Sequence, residues 1–226
     1  MTAETMEIPA EWTFKSDEVA THFDSHVREQ LPWYELATDA VAHFARHYIP
    51  EGGLVYDIGG STGNIGRALA FTLERRHAEL IAIDSSREMV DRYAGPGRCI
   101  CADALSYDFD SFDVAVCFLV LMFLPVGRRR DFVRQLCKLI RPGGALIVFD
   151  KTDCAGGGYL STAVHRLTIA GKLKGGAAPS EIIEKELSIS GVQRPLSWQF
   201  MSLTTPQAVE VFRFGEFAGW VVENSE

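Results

Sequence analysis

Leu54–Gly66, LVYDIGGSTGNIG, is the stretch from which the rest of the chain is read. Leu54, Val55 and Ile58 make a short apolar run that predicts a buried parallel strand. The run stops at Gly59-Gly60-Ser61-Thr62-Gly63. From Asn64 to Arg75 the spacing turns helical, with Ile65, Leu69 and Leu73 on one face. Strand, glycine turn and helix together let a ligand approach the backbone closely and meet the free N–H groups of a helix start. The loop alone leaves several ligand classes open. Its spelling also matches the G-x-S-x-G elbow of hydrolases, with Asp150 and His165 following in hydrolase order. Such an elbow follows several strands that supply an oxyanion hole. Only about 50 residues, mostly helical in pattern, precede this one, and the hydrolase reading is set aside.

Upstream, Ser16 or Asp17 caps a helix carrying Val19, Phe23 and Val27 on one side. Pro32 ends it, and a second helix is expected from Trp33 to His47. Residues 1–50 thus read as a loose lead-in and a helical cover laid before the first strand. Downstream, strands are expected at Glu79–Ile83, Arg98–Cys101, Phe112–Phe118 and Ala145–Asp150, the last entered through the turn Arg141-Pro142-Gly143-Gly144. Helices between them, around Arg87–Tyr93 and Arg128–Ile140, imply right-handed crossovers and a parallel sheet. The run Arg128-Arg129-Arg130 reads as the solvated start of a surface helix.

After Asp150 the alternation breaks. Residues 151–200 hold the run Gly156-Gly157-Gly158 and expected helices at Tyr159–Leu173 and Pro179–Ser188. An insertion of this length predicts a lid or acceptor site. Ala208–Phe214 and Phe217–Val222 read as a closing hairpin.

Composition narrows the function. The 226 residues are 47% hydrophobic and 23% charged, which suits one α/β domain with a real core. A net charge of −8 argues against a broad nucleic-acid-binding surface, though not against a local basic patch. No apolar run is long enough to span a bilayer and the start lacks a signal-peptide pattern, so no membrane association and a cytoplasmic location are expected. Cys99, Cys101, Cys117, Cys137 and Cys154 lack metal-ligand spacing and read as buried reduced thiols; no metal is expected.

Acids accompany the loop. Asp57 lies inside the first strand, Asp84 ends the second with Ser85 next, and Asp103 with Ala104 follows the third. An acid at the end of the second strand accepts both ribose hydroxyls in nicotinamide and S-adenosylmethionine (SAM) sites alike. An acid after the third suits an adenine amino group. Asp57 and the Pro-Gly-Gly turn favour SAM.

The motifs VYDIGGSTG, AIDSS, CADAL, FDVAVCFLVLMFL and LIRPGGALIVFD resemble, in order, those of class I SAM-dependent methyltransferases. FKSDEVATHFDSHVREQLPWYELA, SEIIEKELSISGVQRP and FRFGEFAGW are further similar to the carboxy-SAM synthase group, which serves tRNA wobble-uridine modification. The resemblance implies one domain over 1–226: a Rossmann-like, seven-stranded, mostly parallel sheet with an antiparallel edge strand. It implies SAM as cofactor, contacted by Tyr34, Asp57, Gly59, Gly60, Ser61, Gly63, Asp84, Ser85, Asp103, Ala104 and Phe118. Tyr34 reads equally well as a core tyrosine packed on the sheet. The group carries a Lys-Arg pair where this chain has Lys185-Glu186, and that arginine holds the cofactor's extra carboxylate. A glutamate there repels a carboxylate by about 1 kcal/mol or more at near contact, which favours ordinary SAM and methyl transfer. Phe118 also departs, standing where the group has a polar residue.

For the acceptor, a small molecule and an RNA both remain open, as does a homodimer. His165, Tyr34 and Arg194 are the candidate catalytic residues, and Lys172, Lys174 and Arg194 are cations that could meet an anionic acceptor. A carboxy-SAM synthase-like enzyme and a non-catalytic SAM-binding protein are the alternatives.

Overall fold

The computed structural model describes residues 7–154 and 158–225. The first six residues of the lead-in, and Gly156 and Gly157 of the glycine run, lie outside the described residues.

Two helices come first, α1 (Asp17–Gln30) and α2 (Tyr34–Tyr48). Ser16 caps α1, its hydroxyl accepting from the Val19 N–H at 3.4 Å. The alternating part follows as β1 (Leu54–Ile58), α3 (Asn64–Arg75), β2 (Glu79–Asp84), α4 (Arg87–Val90), β3 (Arg98–Cys101) and β4 (Phe112–Phe118). A single 3-10 turn, Leu121–Phe123, leads to α5 (Val126–Leu139) and β5 (Ile140–Lys151). The insertion carries α6 (Gly158–Lys174), α7 (Pro179–Ser188) and the short α8 (Phe200–Thr204), and β6 (Val209–Phe214) and β7 (Phe217–Glu223) close the chain.

The strands form one sheet in the order β3-β2-β1-β4-β5-β7-β6. β1 to β5 run parallel, and β7 is antiparallel to both neighbours. The antiparallel strand therefore sits one place in from the edge, and β6 is outermost. The order reverses between β1 and β4, so a crevice opens beyond the carboxyl ends of β1 and β4.

Period-two alternation along the strands builds a core on each face. Val55, Leu80, Val114 and Ile147 pack with Ala37 and Val41 of α2 and with Leu69 of α3. Tyr56, Ile81, Ala115 and Leu146 pack with Phe132 and Leu136 of α5 and with Met201 of α8. Gly219 of β7 lies opposite Phe149, where an added Cβ would come within 2.4 Å of the ring.

Three expectations change in detail. The Pro-Gly-Gly turn is a bulge within β5: Phe112 pairs with Ile140 but Val114 with Ala145. Arg129 is not a solvated surface residue. It is 3% exposed, and its guanidinium donates to the carbonyls of Leu124 at 2.9 Å and Met122 at 3.0 Å. Of the cysteines only Cys117 is buried, while the other four are half-buried. The short α8 had no signal in the sequence pattern.

Candidate functional site

The crevice is a cavity of about 420 Å³, and it has two ends. One end is made by strand termini. Gly59 leaves β1 at φ +72°, and a Cβ there would meet Val120 at 2.5 Å. The Gly59 and Gly60 N–H groups donate to the Ile83 carbonyl at 2.7 and 3.1 Å, which ties the loop to β2. Ser61, at φ +49°, donates its N–H to Asp84 at 2.9 Å, and the other Asp84 oxygen accepts from the Ser86 N–H at 2.9 Å. Burial raises the Asp84 carboxyl, and these amides oppose the rise. Each of its oxygens retains a second lone pair for a ligand hydroxyl.

Asp57 is 1% exposed, and its Oδ2 has no hydrogen-bond partner. Burial, and then the nearby Asp84, lift its carboxyl to about 7. A buried, unmatched carboxylate beside a glycine loop suits a cationic group on a ligand.

Ten of the eleven cofactor candidates line this cavity: Tyr34, Asp57, Gly59, Gly60, Ser61, Asp84, Ser85, Asp103, Ala104 and Phe118. Gly63 does not. It starts α3 at φ +95°, and a Cβ there would strike the Gly95 nitrogen at 2.6 Å, so packing against residues 93–95 requires the glycine. Tyr34 is 4% exposed, meets Phe118 edge-on at 5.3 Å, and lines the cavity.

The other end is made by side chains from distant segments. Trp12 and Phe14 of the lead-in wall it, held by the Trp12 N–H to the Ser188 carbonyl at 2.9 Å and the Ser86 hydroxyl to the Phe14 carbonyl at 2.7 Å. His26 and Gln30 come from α1, Lys172 from α6, Lys185 and Glu186 from α7. Lys172 donates to Glu186 at 2.9 Å, and its side chain is 7% exposed. The Lys185 ammonium position lies against the Trp12 ring. Burial, and then Lys172, bring the Lys185 amine down to about 5.

His165 and Arg194 do not line the cavity. His165 is exposed on α6 and pairs with Glu216 at 3.4 Å. Arg194 is exposed, and its N–H donates to the Met122 carbonyl at 2.9 Å. No hydrolase triad forms. The Ser61 hydroxyl donates to the Met89 sulfur at 3.3 Å, and Asp150 accepts from the Leu121 and Met122 N–H groups at 2.6 and 3.3 Å.

Sequence reasoning missed Asp24. It accepts from the Thr62 hydroxyl at 2.6 Å and Arg67 at 2.9 Å, clamping α1 onto the glycine loop. A lone aspartate on a helix offers no signal of such a contact. Leu119, at φ +60°, was missed too; a non-glycine residue held there beside a cavity marks local strain. Among the described residues no group of three or more His, Cys, Asp or Glu could hold a metal ion, and no helix is long and apolar enough to cross a membrane.

Residues 55–144 match the family described as "Methyltransferase domain". A carboxy-S-adenosyl-L-methionine synthase of Staphylococcus epidermidis is 29% identical over 196 residues, 84% of each chain. One of Wolinella succinogenes is 27% identical over 227 residues, 94% of each chain. The solved structure of a magnesium protoporphyrin IX methyltransferase from Synechocystis with bound SAH is similar in fold. Its TM-score is 0.57 at 17% identity, covering 86% of this chain and 85% of that one.

The fold, the loop and the matched domain together support one class, the class I SAM-dependent methyltransferases, whose fold is a SAM-binding one. Within that class the resemblance runs, over most of the chain, to the carboxy-SAM synthases.

Proposed function

We propose that this protein binds SAM at the strand-terminal end of the cavity and transfers its methyl group to an acceptor held at the other end. The observation that carries this reading is the continuity of one cavity from the Gly59–Ser61 loop to the Lys172–Glu186 pair. In this reading Asp84 accepts from the ribose hydroxyls, and Asp103 with Ala104 meets the adenine. Asp57 then faces the methionine end, where its unpartnered oxygen gains a cationic neighbour. Tyr34 and Phe118 give that end an apolar wall. Bound there, SAM supplies a methyl group activated by its sulfonium.

The chain's remaining task is to hold the acceptor atom in line and keep water out. Trp12, Phe14 and Phe123 close the cavity with aromatic surface; Phe14 meets Phe123 edge-on at 4.9 Å. Of the three catalytic candidates, only Tyr34 lines the cavity, and burial raises its hydroxyl well above the ordinary phenol value. A hydroxyl that keeps its proton is no base. The Lys185 amine, uncharged at pH 7, is the group proposed to take a proton from an acceptor that must lose one.

Carboxy-SAM synthesis is the second reading, suggested by the names of the relatives. Lys172 beside Glu186 is the cation that could serve a cofactor carboxylate, but Glu186 already engages it. The test is incubation with methyl-labelled SAM and fractionated cell extract. Label entering one fraction, with S-adenosylhomocysteine (SAH) as coproduct, is the expected result. A copurifying ligand with the mass of carboxy-SAM would replace methyl transfer by the second reading. SAM binding with no coproduct in any fraction would leave a binding protein without transfer activity.

A further inference from the structure

The far end of the cavity contains polar atoms that neither the fold nor the SAM end uses. His26 is 9% exposed and Gln30 5% exposed, and both line the cavity. Neither His26 Nε2 nor Gln30 Oε1 has a hydrogen-bond partner. The two residues are one turn apart on α1, so their side chains share a face. A buried polar atom without a partner costs about 1–3 kcal/mol. Two of them on one face of one cavity argue for an occupant that supplies the missing hydrogen bonds.

Two of the lysines at this end are already engaged. Lys172 is bonded to Glu186 at 2.9 Å, and Lys151 donates to the Gln193 side-chain oxygen at 3.2 Å. Burial, and then Lys185 and Lys172, bring the His26 imidazole down to about 4, so it is neutral at pH 7. The two atoms left without partners, His26 Nε2 and Gln30 Oε1, are therefore both on uncharged groups. A hydroxyl is the simplest group that serves both. It donates to Gln30 Oε1 and can either donate to or accept from His26 Nε2. The surrounding surface is aromatic. Trp12 stacks on His26 with ring centroids 5.7 Å apart at 23°, and meets Phe14 edge-on at 5.8 Å. Such walls suit a flat ring.

We propose that His26 and Gln30 form the acceptor subsite, and that it takes an uncharged aromatic ring bearing a hydroxyl group. This deepens the methyl-transfer reading and rests on it.

The experiment titrates catechol, and separately benzoate, into the full chain saturated with SAH, followed by calorimetry. Catechol binding with little or no benzoate binding is expected. Gln30→Leu and His26→Gln should each weaken catechol at least tenfold while SAM affinity stays within about twofold, which also reports that each variant folds. Catechol affinity unchanged in both variants, or benzoate bound in preference to catechol, would overturn the subsite. A wild-type chain that takes neither SAM nor SAH would instead overturn the reading on which it rests. Should Gln30→Leu lose SAM binding through misfolding, His26→Gln alone decides.

Discussion

The two ends of the cavity are built by different means. The cofactor end is main chain: β1 and β2 stop, glycines turn, and amides and carboxylates hold the loop at 2.7–3.1 Å. The far end, where we propose the acceptor binds, is side chain, gathered from residues as far apart as Trp12 and Glu186. The first end is fixed by backbone geometry and tolerates few substitutions. The second can change its chemistry one residue at a time. The contrast teaches that fold and cofactor class are set in one short stretch, whereas acceptor choice is spread over the chain.

The largest effect is expected at Gly59. Alanine there would meet Val120 at 2.5 Å in a left-handed conformation, at φ +72°. Gly59→Ala should lower SAM affinity at least a hundredfold, about 3 kcal/mol, as read by calorimetry. An affinity close to wild type would break the claim that main-chain geometry fixes this end.

Lys185→Met sharpens the other side. An amine near 5 in the folded chain and 10.5 in the ordinary state binds its proton more tightly when unfolded. That lowers stability fully below pH 5, and the loss fades as pH rises toward 10.5. The variant should therefore be more stable near pH 6, with the gain shrinking by about 1.4 kcal/mol per pH unit toward pH 9. Methyl transfer should fall at the same time. Urea unfolding across that range checks the slope; a gain independent of pH would remove the uncharged amine from the account.

The smallest effect is expected at the clamp between the ends. Asp24 holds Thr62 and Arg67 at 2.6 and 2.9 Å, but its side chain is 42% exposed. Asp24→Ala should cost about 0.5–1 kcal/mol of stability after solvent screening and weaken SAM a few-fold. A loss as large as that at Gly59 would mean that α1, and not the loop, organises the cofactor end.

Legibility in the sequence follows the same division. Leu54–Gly66, Asp84 and Asp103 were readable because a strand, a glycine turn and an acid at a strand end are local patterns with one geometric meaning. The order of the hairpin was not, because nothing local says that β7 inserts between β5 and β6. Arg129 looked solvated among three arginines, yet it holds the Leu124 and Met122 carbonyls that the turn after β4 leaves free. His165 and Arg194 stand out by residue type alone; His165 is exposed on α6 and Arg194 is exposed in the loop after α7, and neither lines the cavity. His26 and Gln30 had no signal at all. Their role depends on which face of α1 turns inward, and on α6 and α7 arriving opposite.

The most direct test of the central claim is calorimetry of SAM and SAH binding at pH 6 and pH 8. Asp57, held near 7 by burial and Asp84, must lose its proton to face a cation. Both ligands should bind, SAM should tighten about five- to tenfold between the two pH values, and protons should be released at pH 7. Heat with NADH, and none with either SAM or SAH, would contradict the account.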